Sequence, residues 1–141
     1  MFGPHLMVDG YGCPREKLQD LSLVYKFLEE CPDRIGMTKI MPPYVFRYEG
    51  VNPKDWGVSG VVLIAESHIS IHTFVEKGYF SMDIFSCKDF DVEAAKAYVL
   101  NIFSATSCEI NVLERGKEFP KDIRKSLRIV NRDRARAAQR L

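Results

Sequence analysis

Residues that could act as nucleophiles, acids or bases are concentrated between positions 58 and 87 of this 141-residue chain. Successive side chains of a β-strand point to opposite faces of its sheet. A strand that begins near His68 therefore places five side chains on one face: His68, Ser70, His72, Phe74 and Glu76. Ile69, Ile71, Thr73 and Val75 fall on the other face, which we expect to be the core. The first face combines imidazole, hydroxyl, aromatic and carboxylate groups, which are the types used in acid–base and nucleophilic chemistry.

The next strand adds Ser81, Asp83, Phe85 and Cys87 on a common face by the same rule. The simplest interpretation is a half-buried sheet whose polar face meets water. A Ser/His/Asp hydrolase is a second, but the chain around Ser67 lacks the Gly-x-Ser-x-Gly turn. Metal binding by His68 and His72 is a third, but on a strand these residues, four positions apart, are separated by roughly 13 Å, too far for one ion.

Several short segments match one known family. The stretch resembles the pyruvoyl-dependent S-adenosylmethionine decarboxylases of the short bacterial and archaeal type. The matching segments are residues 58–62, 66–68, 71–73, 78–79 and 83–87, together with Glu76. The resemblance is densest over residues 57–87, and it extends more weakly to residues 5–6 and 112–116.

The resemblance implies that the chain is a proenzyme that cleaves itself between Glu66 and Ser67. The Ser67 hydroxyl would attack the preceding carbonyl, and the resulting ester would eliminate to dehydroalanine and hydrolyse to a pyruvoyl cofactor. The products would be a β chain of residues 1–66 and an α chain that begins at position 67. By the same resemblance Ser59 and His72 take part in processing, and His72 acts as the acid/base.

The resemblance also implies how the decarboxylation proceeds and which residues take part in it. The pyruvoyl carbonyl would form a Schiff base with the amine of the substrate and serve as an electron sink, as pyridoxal phosphate does elsewhere. Cys87 matches the family's proton donor, and Glu76 matches the residue that accepts hydrogen bonds from the ribose. The implied product is the aminopropyl donor for spermidine synthesis. The family further implies a homodimer with sites between the protomers.

Two departures from the family pattern leave the substrate open. The segment after residue 73 reads Phe74-Val75-Glu76 where the family usually has Trp-Pro-Glu, so Phe74 would stack on the adenine. The aromatic residue expected before Ser59 is displaced, and four residues are candidates: Tyr44, Phe46, Tyr48 and Trp56. Arginine or ornithine is the alternative substrate on this scaffold.

An arginine or ornithine decarboxylase would need a carboxylate for the distal cation. Glu49, Asp55 and Asp83 are available, and no spacing selects one of them. A different class of function is also open, namely an unprocessed regulatory partner or a binding module with a basic tail. Self-cleavage discriminates between these classes.

The elements that would position these residues follow in the order strand, helix, several strands, helix, strand. We predict a helix that begins at Pro14, carries Leu18, Leu21, Val24, Tyr25 and Leu28 on one side, and stops at residues 31–33. A second helix is capped by Asp91. Strands are predicted at residues 5–9, 39–48 (broken at 42–43), 58–65, 69–74, 79–87 and 109–113. This order predicts an α+β two-layer sandwich: an antiparallel sheet with helices packed on one face.

Composition defines one globular domain, because 46% of residues are hydrophobic and 28% are charged. We assign residues 1–116 to it and residues 117–141 to a basic tail or helix with nine Lys/Arg and three acids. The net charge of +1 and the lack of a long apolar run predict neither a nucleic-acid nor a membrane partner. The N-terminus lacks signal-peptide features, which favours the cytoplasm. The four cysteines show no metal-ligand spacing, so no metal site is predicted.

Overall fold

The computed structural model describes residues 3–116 and seven positions of the C-terminal segment: 124, 127, 128, 131, 132, 135 and 136. Within residues 3–116 the elements follow in this order: β1 (Gly3–Tyr11), α1 (Arg15–Leu18), α2 (Leu21–Arg34), β2 (Thr38–Lys39), β3 (Tyr44–Glu49), β4 (Trp56–Ala65), β5 (Ser67–Phe74), β6 (Tyr79–Ser86), α3 (Val92–Ile102) and β7 (Ser107–Arg115). No helix among the described residues is long and apolar enough to cross a membrane.

The strands form one sheet in the order β2-β4-β5-β6-β1-β7, and β3 also pairs with β4. Every pairing is antiparallel. Helices α2 and α3 cover one face, where the side chains that alternate inward from four strands are buried: Leu6, Val8, Val62, Ile64, Ile69, Ile71, Phe80, Met82 and Ile84. The predicted two-layer α+β sandwich is therefore confirmed. The opposite face of the sheet carries the polar residues singled out above.

The first predicted helix is wrong at two points. It is broken at residues 19–20, because the Asp20 carboxylate accepts hydrogen bonds from the backbone amides of Ser22 and Leu23 and starts a new helix there. It also continues through Pro32 to Arg34. A proline removes one amide donor, but the Ile35 amide donates to the carbonyls of Cys31 and Pro32 and closes the last turn beyond it.

The second helix begins as predicted, because the Asp91 carboxylate accepts from the backbone amide of Ala94. The extended segment 39–48 divides at its two prolines into β2 and β3. The predicted tail at 117–141 falls largely outside the described residues. The seven positions described there are helical and exposed.

Candidate active site

The open face of the sheet gathers the predicted site residues. On β5, Ile69, Ile71 and Thr73 are buried against the helices, so the expected alternation of faces is present. Ser70 pairs with Asp83 across β5 and β6, and His72 pairs with Ser59 across β4 and β5. Strand β5 ends at Phe74, so Glu76 lies in the following turn and not in the strand.

The predicted cleavage point lies at the tight connection between β4 and β5, where Glu66 is exposed and Ser67 begins the new strand. Ser67 has a φ of 128°. L-residues rarely adopt such a φ, and the conformation costs on the order of 1–3 kcal/mol. The backbone amide of Cys87 donates a hydrogen bond of 3.2 Å to the carbonyl oxygen of Glu66. The carbonyl that Ser67 would attack is therefore polarised, beside a strained backbone.

A chain of polar contacts leads away from the Ser67 hydroxyl. Its Oγ lies 3.3 Å from Nδ1 of His68, and Nε2 of His68 lies 3.3 Å from Oδ1 of Asp83. Nε2 of His5 lies 3.0 Å from the same oxygen, and the Ser70 hydroxyl donates to Oδ2 of Asp83 at 2.6 Å. Four residues from β1, β5 and β6 thus converge behind the serine.

Asp83 is held in its charged form by these contacts. Burial raises the pKa of a carboxyl group, but the hydrogen bonds from Ser70 and His5 outweigh it and leave the pKa of Asp83 below its usual range. The group is therefore a carboxylate at neutral pH, and as a carboxylate it can only accept hydrogen bonds.

The pKa of the Cys87 thiol is shifted upward, in the opposite direction to that of Asp83. Burial, followed by the nearby carboxylate of Glu66, raises the pKa of Cys87 above its ordinary value. The residue is only partly exposed and directly follows β6, where its backbone amide donates to the Glu66 carbonyl. A thiol that keeps its proton at neutral pH is suited to donate a proton and unsuited to act as a thiolate nucleophile.

A second cluster lies near the other end of β5. The Ser59 hydroxyl and Nδ1 of His72 are 2.9 Å apart. Both residues line a cavity of about 320 Å³, a volume at the lower end for small-molecule sites. Its other walls are largely aromatic and include Phe46, Tyr48, Trp56 and Phe74. Of the four aromatic candidates for the displaced position, Tyr44 is the one outside this lining.

Phe74 and Glu76 have partners of their own. The Phe74 ring stacks on Tyr79 with centroids 4.4 Å apart and planes 7° apart, so one of its faces is covered. The Glu76 carboxylate accepts 2.7 Å and 2.9 Å hydrogen bonds from Arg15 and from the indole of Trp56. The Arg15 bond is the main cause of the lowered pKa of Glu76. Glu76 is not in the cavity wall but is tied to it through Trp56.

The two clusters are separate within one chain. Ser67 and His72 are five positions apart along β5, which corresponds to roughly 16 Å at about 3.3 Å per residue. The structure therefore brings Glu66, Ser67 and Cys87 together, and it brings Ser59, His72 and Phe74 together. It does not bring His72 to Ser67 within a single protomer.

Sequence reasoning missed the link between His5, His68 and Asp83. The alternation rule places His68 and Asp83 on outward faces, but the pairing of β1 with β6 brings His5 opposite Phe85 and beside them. That pairing joins segments 78 residues apart. A short periodic pattern carries no information about it. Among the described residues, no three His, Cys, Asp or Glu side chains are placed to hold a metal ion.

Comparison with known proteins narrows this two-layer α+β fold to one family. A family model described as S-adenosylmethionine decarboxylase matches residues 4–116. The chain is 36% identical over 117 residues to the S-adenosylmethionine decarboxylase proenzyme of Pyrococcus furiosus, covering 82% of this chain and 80% of that protein. It is 39% identical over 115 residues to the proenzyme of the same name from Archaeoglobus fulgidus, covering 81% and 97%.

A solved structure gives the same result. The crystal structure of the adenosylmethionine decarboxylase from Aquifex aeolicus superposes with a TM-score of 0.65 at 30% sequence identity. The match covers 80% of this chain and 89% of that chain. This chain belongs to the S-adenosylmethionine decarboxylase family.

Proposed function

We propose that this chain is a self-processing, pyruvoyl-dependent carboxy-lyase that decarboxylates S-adenosylmethionine and so supplies the aminopropyl donor for spermidine synthesis. The observation that carries the proposal is the arrangement at Glu66 and Ser67. A serine with a positive φ follows a carbonyl that accepts a hydrogen bond from the Cys87 amide. The proenzyme names of the relatives are consistent with such a step.

The chain's own residues support the self-processing chemistry. Ser67 Oγ attacks the Glu66 carbonyl carbon and replaces the amide by an ester, which frees the Ser67 nitrogen. Loss of the Ser67 α-proton then forms a Cα–Cβ double bond and breaks the Cβ–Oγ bond, so that Oγ leaves as part of the Glu66 carboxylate, a new C-terminus. We assign the removal of this α-proton to His72, because an imidazole is a common general base. The Ser59 hydroxyl, 2.9 Å from Nδ1 of His72, would hold the ring in place. These steps leave residues 1–66 and an α chain that begins with dehydroalanine at position 67, which water hydrolyses to the pyruvoyl group with release of ammonia.

The pyruvoyl group supplies an electron sink for the decarboxylation of an amine-bearing substrate. After CO2 has left, the substrate carbon must be protonated, and we assign this step to Cys87, whose thiol is kept protonated by burial and by Glu66. The aromatic side chains around the 320 Å³ cavity offer flat surfaces for an adenine ring, and Phe74 is one of them. Glu76 would accept hydrogen bonds from the ribose, since each of its oxygens has a lone pair beyond those used by Arg15 and Trp56.

A homodimer would complete the site. Ser67 and His72 of one protomer lie roughly 16 Å apart along β5, so a single chain cannot bring them together. The open face of the sheet also carries large exposed apolar side chains, which association of two copies would cover: Tyr44, Phe46, Tyr48 and Leu63. We therefore propose that the partner subunit's His72 serves Ser67. We retain the cytoplasm as the location and predict neither a nucleic-acid nor a membrane partner.

The carboxylates available for a basic substrate are already engaged. Glu49 pairs with Arg47, and Asp55, which lines the cavity, pairs with Lys77 at 2.9 Å. Asp83 accepts from three side chains in the other cluster. No free carboxylate faces the cavity among the described residues. This, with the names of the relatives, favours S-adenosylmethionine over arginine or ornithine.

The proposed substrate is tested by CO2 release from S-adenosylmethionine, arginine and ornithine, measured side by side on cleaved protein. We expect release from S-adenosylmethionine. In Glu76→Gln we expect KM for that substrate to rise roughly 10-fold or more, because a hydrogen bond to a charged group contributes about 1.5–3 kcal/mol. Glu93→Gln, on the exposed side of α3, is the matched control and should leave KM unchanged.

Two results would contradict this assignment. Release from arginine or ornithine alone would replace the substrate while leaving the processing chemistry in place. An unchanged KM for S-adenosylmethionine in Glu76→Gln would remove Glu76 from the binding site.

A further inference from the structure

We propose that His68 is the general base of the first step of self-processing, the attack of Ser67 on Glu66, and that Asp83 is the positioning residue that orients it. This inference rests on the proposed function, and it divides the work between two histidines. His68 would act within its own chain on the Ser67 hydroxyl. His72 would act later, on the α-proton of the ester.

The contact with Ser67 determines which nitrogen of His68 is the base. Nδ1 lies 3.3 Å from Ser67 Oγ, within reach of the hydroxyl proton. Nδ1 can accept that proton only if the neutral ring carries its own proton on Nε2. Nε2 faces Oδ1 of Asp83 at 3.3 Å. A carboxylate at that position can only accept, so it selects the tautomer that leaves Nδ1 free.

The surroundings of Asp83 fit this role. Besides His68, it contacts His5 from β1 and accepts a hydrogen bond from the Ser70 hydroxyl. With three donors on one partly buried carboxylate, Asp83 remains an anion and its position is defined by three strands. It also stabilises the imidazolium that forms when His68 takes the proton. The order serine, histidine, aspartate is that of a catalytic triad, directed here at the chain's own backbone.

The step balances without any added reagent. A bond forms between Ser67 Oγ and the Glu66 carbonyl carbon while the hydroxyl proton moves to Nδ1 of His68. The carbonyl electron pair moves onto its oxygen, where the Cys87 amide donates a hydrogen bond. The C–N bond then breaks, and the Ser67 nitrogen takes the proton back from His68. An amide has become an ester plus an amine, and no proton is gained or lost.

His72 does not fit this step. His72 lies near the other end of β5 from Ser67, and its Nδ1 is paired with Ser59 of β4. His68 is the residue directly after the serine, so no second chain is needed to place it. The two histidines can therefore be separated experimentally, since the first step produces an ester and the second consumes it.

Freshly synthesised, uncleaved full-length chain provides the test. Wild type, His68→Ala, His68→Gln and His72→Ala are followed by denaturing electrophoresis with and without hydroxylamine, which cleaves esters but not amides. In both His68 variants we expect cleavage to slow at least 100-fold, the lower end for loss of a general base, and hydroxylamine to release no fragment. In His72→Ala we expect an uncleaved chain from which hydroxylamine releases residues 1–66.

Two further measurements separate catalysis from folding. Added imidazole should restore part of the cleavage of His68→Ala and none of that of Ser67→Ala. Asp83→Asn should slow cleavage. Added imidazole should leave the rate of this variant unchanged, because the His68 ring is still present. Circular dichroism of each variant should match that of the wild type.

Cleavage of either His68 variant at the wild-type rate would overturn the inference, and so would hydroxylamine-sensitive ester in His68→Ala. Both results leave the proposed function intact. A wild-type chain that never cleaves would instead contradict the proposed function itself. The two failures are therefore distinguishable.

Discussion

Ser67→Ala is expected to remain a single uncleaved chain with no decarboxylase activity. Alanine has no hydroxyl, so the Glu66 carbonyl cannot be converted to an ester and no pyruvoyl group can form. The loss should be complete, because the hydroxyl is both the nucleophile and the group whose elimination turns residue 67 into the precursor of the cofactor. The chain length on a denaturing gel and CO2 release from S-adenosylmethionine give the two readouts.

Two variants make this result specific. Ser22→Ala changes an exposed serine of α2 and should be cleaved and active like the wild type. Cys87→Ala should still be cleaved, because its amide still donates to Glu66, but turnover should fall roughly 100-fold or more through loss of the proton donor. Full activity in purified Ser67→Ala would refute the proposed chemistry.

The second large effect concerns two inactive chains made together. Ser67→Ala and His72→Ala are each expected to stay uncleaved when expressed alone. In a mixed dimer, the His72→Ala chain has an intact Ser67 and meets the partner subunit's His72. One of the two sites is then complete, so we expect cleavage of the His72→Ala chain and recovery of up to half of the activity per mixed dimer.

The control for this experiment is the corresponding mixture with His68→Ala. His68 lies beside Ser67 of its own chain, so a Ser67→Ala partner cannot replace it. That mixture should remain uncleaved. Differently tagged chains, purified through both tags, ensure that only mixed dimers are measured. Mixed dimers of Ser67→Ala and His72→Ala that stay uncleaved would contradict the shared site.

Local patterns predicted the faces of the sheet well. Period-two alternation correctly placed Ile69, Ile71 and Thr73 in the core and left His68 and His72 on the outside. The Asp91 cap was also predictable, because it depends on one side chain and an amide three residues later. Such features depend on neighbours along the chain, which a single sequence contains.

Features that depend on distant pairing were not predictable. The approach of His5 to Asp83 requires β1 to pair with β6, and Phe46 and Trp56 enter one cavity wall because β3 and β4 pair there. The helix break at Asp20 was missed for a different reason. The apolar spacing of Leu18, Leu21 and Val24 continues across it, and a hydrophobic pattern does not register a side-chain cap.

The assignment of roles depended on the family resemblance, and the geometry added to it. Resemblance connected Ser67, His72 and Cys87 to one reaction, although the fold keeps His72 and Ser67 in separate clusters of one chain. The separation along β5 gives a physical reason for a dimer. The contact between Ser67 and His68 gives a candidate base that the family pattern alone did not provide.

We expect this chain to cleave itself between Glu66 and Ser67. The denatured intact mass of the purified protein tests it most directly. We predict two species, residues 1–66 and an α chain from position 67 whose N-terminus is blocked by a pyruvoyl group. A single species with the mass of the uncut chain, unchanged on prolonged incubation, would contradict the claim and favour a binding or regulatory role.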